Sequence, residues 1–229
     1  MKRLEVRVQA SAETAVDATA DSTDREAFVA TGIAGVTHAT RREDTVSDES
    51  LMAAYRDRND AGAFEQLYRR HRNGLYRYLR RQCGLASVAE ELFQDVWFAV
   101  IRARSKYVVD ARFATYLYKI AHNRLIDHYR RATHRPSVSA ADECDPVDRL
   151  PAEASAQPEV RLEAKEQVER FSALLAVLPE SQREAFVLHE EAGLSVAEIA
   201  AATGVNPETA KSRLRYAVTR LRRGMLEWS

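Results

Sequence analysis

From residue 47 onward, apolar residues recur every three or four positions through most of the chain, the period of helices that bury one face. Ser47 is placed to cap a short helix that turns Leu51 and Met52 inward. AGAFEQLYRRHRNGLYRYLRRQC follows, with Phe64, Leu67, Tyr68, His71, Leu75 and Leu79 at helical spacing. SVAEELFQDVWFAVIRAR opens with Ser87 and Glu90, a capping-box pair, and its Val88, Leu92, Val96 and Val100 repeat every four residues. A fourth segment, FATYLYKIAHNRLIDHYRR (113–131), sets Phe113, Leu117, Ile120, Ala121 and Leu125 on one side. Further on, Leu162, Val168, Phe171, Leu174, Leu175 and Leu178 make another apolar stripe, and Pro179 begins a helix carrying Ala185, Phe186 and Leu188.

Two stretches lack this period. Residues 1–46 are rich in Ala, Thr, Asp and Ser, and read as a disordered N-terminal extension with a strand-like piece at Leu4–Val8. Residues 132–158 hold four of the six prolines and are acidic, with Asp142, Glu143, Asp145, Asp148 and Glu153 against Arg135 and Arg149. That composition predicts a flexible linker. The predicted fold is therefore all-α, with two helical domains (47–131 and 159–229) joined by an acidic linker (132–158).

The last helices carry a sharper signal. Ser195 and Glu198 form a second capping box, so a short helix starts near Val196. Gly204 suits its left-handed end, Asn206 is a good N-cap, and Pro207 fits the first position of the next helix. Two helices joined by a short Gly-containing turn make a helix-turn-helix. On the second helix Ala210, Leu214, Ala217 and Leu221 cluster on one side. Glu208, Lys211, Ser212, Arg215, Thr219 and Arg222 cluster on the other. Residues 207–223 hold six basic side chains against one acidic, the footprint of phosphate binding. Because the start of a recognition helix reaches base edges, Glu208, Lys211, Ser212 and Arg215 are the predicted readers.

Two more stripes stand apart from the core faces. In the third helix Glu91 and Asp95 lie one turn apart, flanked by Gln94 and Phe98. No His, Cys or third carboxylate joins them, so an acidic stripe for a basic protein surface fits better than metal or acid–base chemistry. In 113–131, Tyr116, Lys119, Asn123 and Arg130 share a face away from the core stripe. A ring to stack on a base, an amide to pair with its edge and cations for phosphates are what unpaired nucleotides require. His122, Asp127 and His128 cannot converge on a metal, since the last two lie ~140° and ~120° from the first around the helix.

Composition adds limits. The chain is 45% hydrophobic and 30% charged, and eight Gly and six Pro in 229 residues argue against a turn-rich β fold. A net charge of zero would argue against nucleic acid, but the charge is segregated along the chain, so the total misleads. Two cysteines, Cys83 and Cys144, predict free thiols rather than a disulfide framework. No apolar run approaches the ~18 residues of a membrane span, and the N-terminus lacks the apolar core of a secretory signal. There is no P-loop, HExxH or paired CxxC, so neither catalysis nor a cofactor is predicted.

Taken in order, AEELFQDVWFAV, FATYLYKIAHNRLIDHYRR and LPESQREAFVLHEEAGLSVAEIAAATGVNPETAKSRLRYAVTRLR resemble a bacterial RNA polymerase sigma factor of the extracytoplasmic-function (ECF) type, over residues 48–225. The resemblance implies that the first domain melts and captures the −10 element and that the last reads the −35 element while contacting the polymerase β flap. It implies that Glu90, Glu91, Gln94 and Asp95 dock on the coiled coil of the β′ subunit. It sets Asn123 beside the pocket for a flipped base and makes SKYVVDAR (105–112) a specificity loop. An anti-sigma protein partner is also implied. The family usually has Trp at Tyr116, and often Arg-Ala-Arg where this chain has Tyr216-Ala217-Val218. The alternative within DNA binding is a one-component regulator whose first domain binds a ligand and dimerises.

Overall fold

The computed structural model describes residues 46–133 and 158–227; the extension and most of the linker lie outside the described residues. Among the described residues the elements are helices: α1 (Asp48–Arg58), α2 (Ala61–Cys83), α3 (Ala86–Ala103), a 3-10 turn (Arg104–Lys106), α4 (Phe113–Thr133), α5 (Pro158–Ala176), α6 (Glu180–Ala192), α7 (Val196–Thr203) and α8 (Pro207–Leu226).

Local chemistry sets most boundaries. The Ser47 hydroxyl accepts from the Ser50 amide at 3.2 Å, and Leu51 and Met52 are buried as expected. The Asp60 carboxylate caps α2 through the Ala63 amide at 3.1 Å. One predicted boundary is wrong. Ser87 and Glu90 do not cap α3, which starts at Ala86 with Leu85 at its N-cap and no side-chain cap bond. Gly84, at φ 76°, ends α2, and Leu85 is extended (φ −97°, ψ 131°), so the chain has already turned before Ser87 is reached. Ser87 then sits inside the first turn with helical backbone, where the extended N-cap conformation does not occur.

Helix α4 buries a wider arc than its predicted stripe. Phe113, Leu117, Ala121 and Leu125 are buried, but so are Ala114, Thr115 and Tyr118, while Ile120 is only half-buried. The cause is that α4 is covered from several sides: it packs on α2 and α3, and also on α7 of the C-terminal half. Helix α6 likewise packs on α2. The sequence suggested two domains without indicating any contact between them; in the structure Val46–Ser229 is one compact unit.

In the C-terminal half, α8 packs on α5, α6 and α7. Its approach to α5 depends on Gly224. A Cβ there would lie 2.5 Å from Leu174 Cδ2, and the Arg170 guanidinium donates to the Gly224 carbonyl at 2.8 Å. Gly224→Val is expected to cost about 1–3 kcal/mol through overpacking, read as a lower urea midpoint. Adding Leu174→Ala should recover part of that loss, and a Gly224→Val midpoint equal to wild type would contradict the close packing.

Candidate nucleic-acid interface

The helix-turn-helix forms as its sequence predicts. The Ser195 amide donates to Glu198 Oε2 at 2.9 Å, and the Ser195 hydroxyl accepts from the Glu198 amide at 3.4 Å. Gly204 ends α7 in the left-handed region at φ 69°, where a side chain would be strained. The Asn206 side chain then accepts from the Thr209 amide at 2.7 Å, with Pro207 in the first turn of α8. Helix α8 buries Ala210, Leu214, Ala217 and Leu221. Of the predicted readers, Glu208, Lys211 and Arg215 are exposed and Ser212 is half-buried. Arg215 lies over the exposed ring of Tyr216, 5.3 Å from its centroid. The tyrosine that departs from the family pattern thus lies against one of the predicted readers.

On α4 the predicted stripe divides. Lys119, Asn123 and Arg130 are exposed, on the side away from Leu117, Ala121 and Leu125. Tyr116 is not displayed with them. Its ring is half-buried, set edge-on against Tyr107 with centroids 5.1 Å apart, and its hydroxyl is buried without a hydrogen-bond partner. Helical periodicity could not foresee this, because the covering group comes from the loop before α4. Tyr107 is itself buried, and that burial, with the charges of Glu49 and Asp110 nearby, pushes its phenol up to about 12.

On α3, Glu90, Glu91 and Gln94 are exposed and Asp95 half-buried, beside a Phe98 ring that is 54% exposed. Behind them Ala89, Leu92, Val96, Trp97 and Val100 are buried, and Trp97 packs against Phe64 and Tyr68. Acidic and amide groups around an exposed aromatic ring are the chemistry a protein-docking surface would use, with charge to steer and a ring to bury.

Three glutamates of the C-terminal half, each seven residues after the last, meet the N-terminal half. Glu184 Oε1 accepts from the buried Tyr78 hydroxyl at 2.7 Å and lies 2.7 Å from His122 Nδ1. Burial and the Glu184 charge push the Tyr78 phenol well above its usual range. Glu191 pairs with Arg77 at 2.6 Å and Arg81 at 3.1 Å. Glu198 meets Arg112 at 3.4 Å and the Thr115 hydroxyl at 3.3 Å. Burial alone would raise the Glu198 carboxyl, but the Ser195 amide and hydroxyl, with Arg112, bring it below its usual value. The sequence singles out Glu198 only as a helix cap and Glu184 and Glu191 not at all. The available signal was a seven-residue spacing of acids within apolar helices, opposite the arginines of YRYLRR.

Comparison with known proteins decides the family. Residues 67–135 match the model for sigma-70 region 2, and residues 169–221 match the model for sigma-70 region 4. The chain is 32% identical to the ECF RNA polymerase sigma factor SigM of Mycobacterium tuberculosis, over 77% of this chain and 84% of that one. The chain belongs to the ECF sigma factors. It is also 32% identical to the ECF sigma factor RpoE of Cereibacter sphaeroides, over 81% of this chain and 99% of the relative. Its fold is that of the sigma factor RpoE from Bartonella quintana, solved with the anti-sigma factor NepR, at TM-score 0.57 and 22% identity over 72% of this chain and 96% of that one. CnrH, solved in complex with the cytosolic domain of CnrY, has the same fold at TM-score 0.56 and 24% identity, over 80% of this chain and 99% of that one. This ECF sigma factor is a transcription initiation factor: it works with RNA polymerase and binds DNA.

Proposed function

We propose that this sigma factor divides promoter recognition among three surfaces. Lys119, Asn123 and Arg130 on α4, together with the loop before it, capture unpaired −10 bases. Glu208, Lys211, Ser212 and Arg215 on α8 read the −35 duplex. Glu90, Glu91, Gln94 and Asp95 on α3 dock on the polymerase β′ coiled coil, and the C-terminal half meets the β flap. Tyr116 joins the −10 surface only after it leaves Tyr107. It acts as a stored ring rather than a displayed one, and its unpartnered hydroxyl supports that reading.

The observation carrying the −10 assignment is the exposed Lys119 and Asn123 on the face of α4 opposite its buried stripe. Asn123→Ala is expected to slow open-complex formation by about 10-fold, the loss of roughly 1–3 kcal/mol of base readout. Capture of core polymerase should be unchanged. Permanganate footprinting on a promoter found by start-site mapping measures the first, and a pull-down the second. Loss of polymerase capture instead would mean that the α4 face binds protein rather than DNA.

The two readers cannot both act while the halves are packed. By their names the elements lie about 25 base pairs apart, roughly 85 Å at ~3.4 Å per pair. A compact unit of about 180 residues is only about 40 Å across. The α2–α6 and α4–α7 contacts therefore belong to a closed state that opens for promoter binding. An anti-sigma factor, such as the one solved with the Bartonella quintana protein, is the partner proposed to hold it closed. The work is that of an initiation factor rather than a catalyst, in the cytoplasm where core polymerase acts. No described helix is long and apolar enough to cross a membrane.

A further inference from the structure

We infer that helix α1 sets the geometry of the −10 reading loop, with Glu49 and Arg56 as positioning residues. The inference rests on the proposed assignment of −10 capture to α4 and its preceding loop. Helix α1 lies upstream of the segment that matches sigma-70 region 2, which begins at residue 67. Nevertheless it reaches both ends of the loop at 107–112.

At the far end, Glu49 Oε1 accepts from the Phe113 amide at 2.9 Å. That amide opens α4 and has no intrahelical partner. The residue before it, Arg112, offers no side-chain acceptor, so the cap comes from 64 residues earlier in the chain. At the near end, Arg56 Nη1 donates to the Tyr107 carbonyl at 2.9 Å. The guanidinium is aimed by Asp57, which accepts from Arg56 Nε at 2.7 Å and Nη2 at 3.0 Å. Arg104, in the turn just before the loop, bonds Asn59 Oδ1 and lies 5.3 Å over the ring of Tyr55 on α1.

Between these anchors the crest points outward, with Val108 65% and Val109 53% exposed. Its base is the buried Tyr107 ring, which contacts Phe113 and Tyr116, so a shift at Tyr107 moves the ring stored beneath it. A loop fixed at both ends and free at its crest presents its side chains without first having to be ordered, which is what discrimination between bases requires.

The test uses holoenzyme made from the full chain and core polymerase of the source bacterium. It transcribes a promoter library randomised at the −10 and −35 segments, and the transcripts are sequenced. Arg56→Ala and Glu49→Ala are expected to lower the −10 enrichment of the favoured base by about 3- to 10-fold, the scale of small misplacements at a reading site. Enrichment at −35 and the amount of holoenzyme captured should stay constant. Glu49→Gln keeps an acceptor for the Phe113 amide and should restore −10 enrichment. Asp57→Asn, an exposed change that leaves the fold intact, should lower it in the same direction by loosening Arg56. Unchanged −10 enrichment in these variants, or an equal fall at both segments, would overturn the inference alone. A wild-type holoenzyme with no −10 preference would overturn both the inference and the reading beneath it.

Discussion

Glu91→Lys combined with Asp95→Lys should remove capture of core polymerase almost entirely, with affinity falling by about 10²-fold or more. Like charges placed at a docked surface cost several kcal/mol. The fold should tolerate the change. Glu91 is exposed and Asp95 half-buried, and neither side chain makes a hydrogen bond or ion pair with another described residue. Surface substitutions of this kind usually alter stability by about 0.5 kcal/mol or less. A pull-down with core polymerase reads the loss, circular dichroism checks the helices, and binding to a −35 duplex should persist because α8 is untouched. Full polymerase capture by the double variant would remove α3 from the docking surface and shift attention to the exposed Phe98. Phe98→Ala is the informative companion, since it tests the apolar part of the same surface.

How far the sequence could be read depended on the range of the interaction involved. The helix-turn-helix was legible almost residue by residue, because its determinants are local: the Ser195–Glu198 box, Gly204 in the left-handed region, Asn206 capping Thr209, and the stripe at 210, 214, 217 and 221. Capping at Ser87 failed although the pattern was equally good. A Gly84–Leu85 turn had already started the helix, and a two-residue pattern cannot say which of two candidate caps comes first. Tyr116 was misplaced for a different reason. A helical wheel reports direction from the axis, whereas the environment in that direction is a loop folded back by Tyr107 and pinned from α1. The contacts between the halves were not legible at all. Glu184, Glu191 and Glu198 have partners that lie 62 to 114 residues away along the chain. The extra burial on α4, at Ala114, Thr115 and Tyr118, is the same interaction seen from the other side.

That buried interface supports the second large expectation. Glu184→Ala together with Glu191→Ala should release the two halves from each other while leaving each helical set folded. Glu184 is 8% exposed and is the hydrogen-bond partner of Tyr78 and His122 across the interface. Without it, the fully buried Tyr78 phenol loses its acceptor, at about 1–3 kcal/mol, and the half-buried His122 imidazole loses its carboxylate. Removing Glu191 leaves Arg77 and Arg81 facing each other with no carboxylate between them. Truncating one side of a largely buried pair of this type costs up to about 3–5 kcal/mol. The combined loss shifts the closed–open balance by at least about 10²-fold, taking ~1.4 kcal/mol per factor of ten. Small-angle scattering should show a larger radius of gyration than wild type, and thermal unfolding should give two transitions where one is expected for the closed wild type. Glu184→Gln keeps an acceptor for Tyr78 and should lie between wild type and the alanine variant. If the radius and the transition are unchanged, Glu184 and Glu191 are not the latch and the halves are held by apolar packing between α4 and α7. If the chain opens, it should form open complexes faster than wild type when core polymerase is limiting, because the cost of separating the readers has been removed in advance.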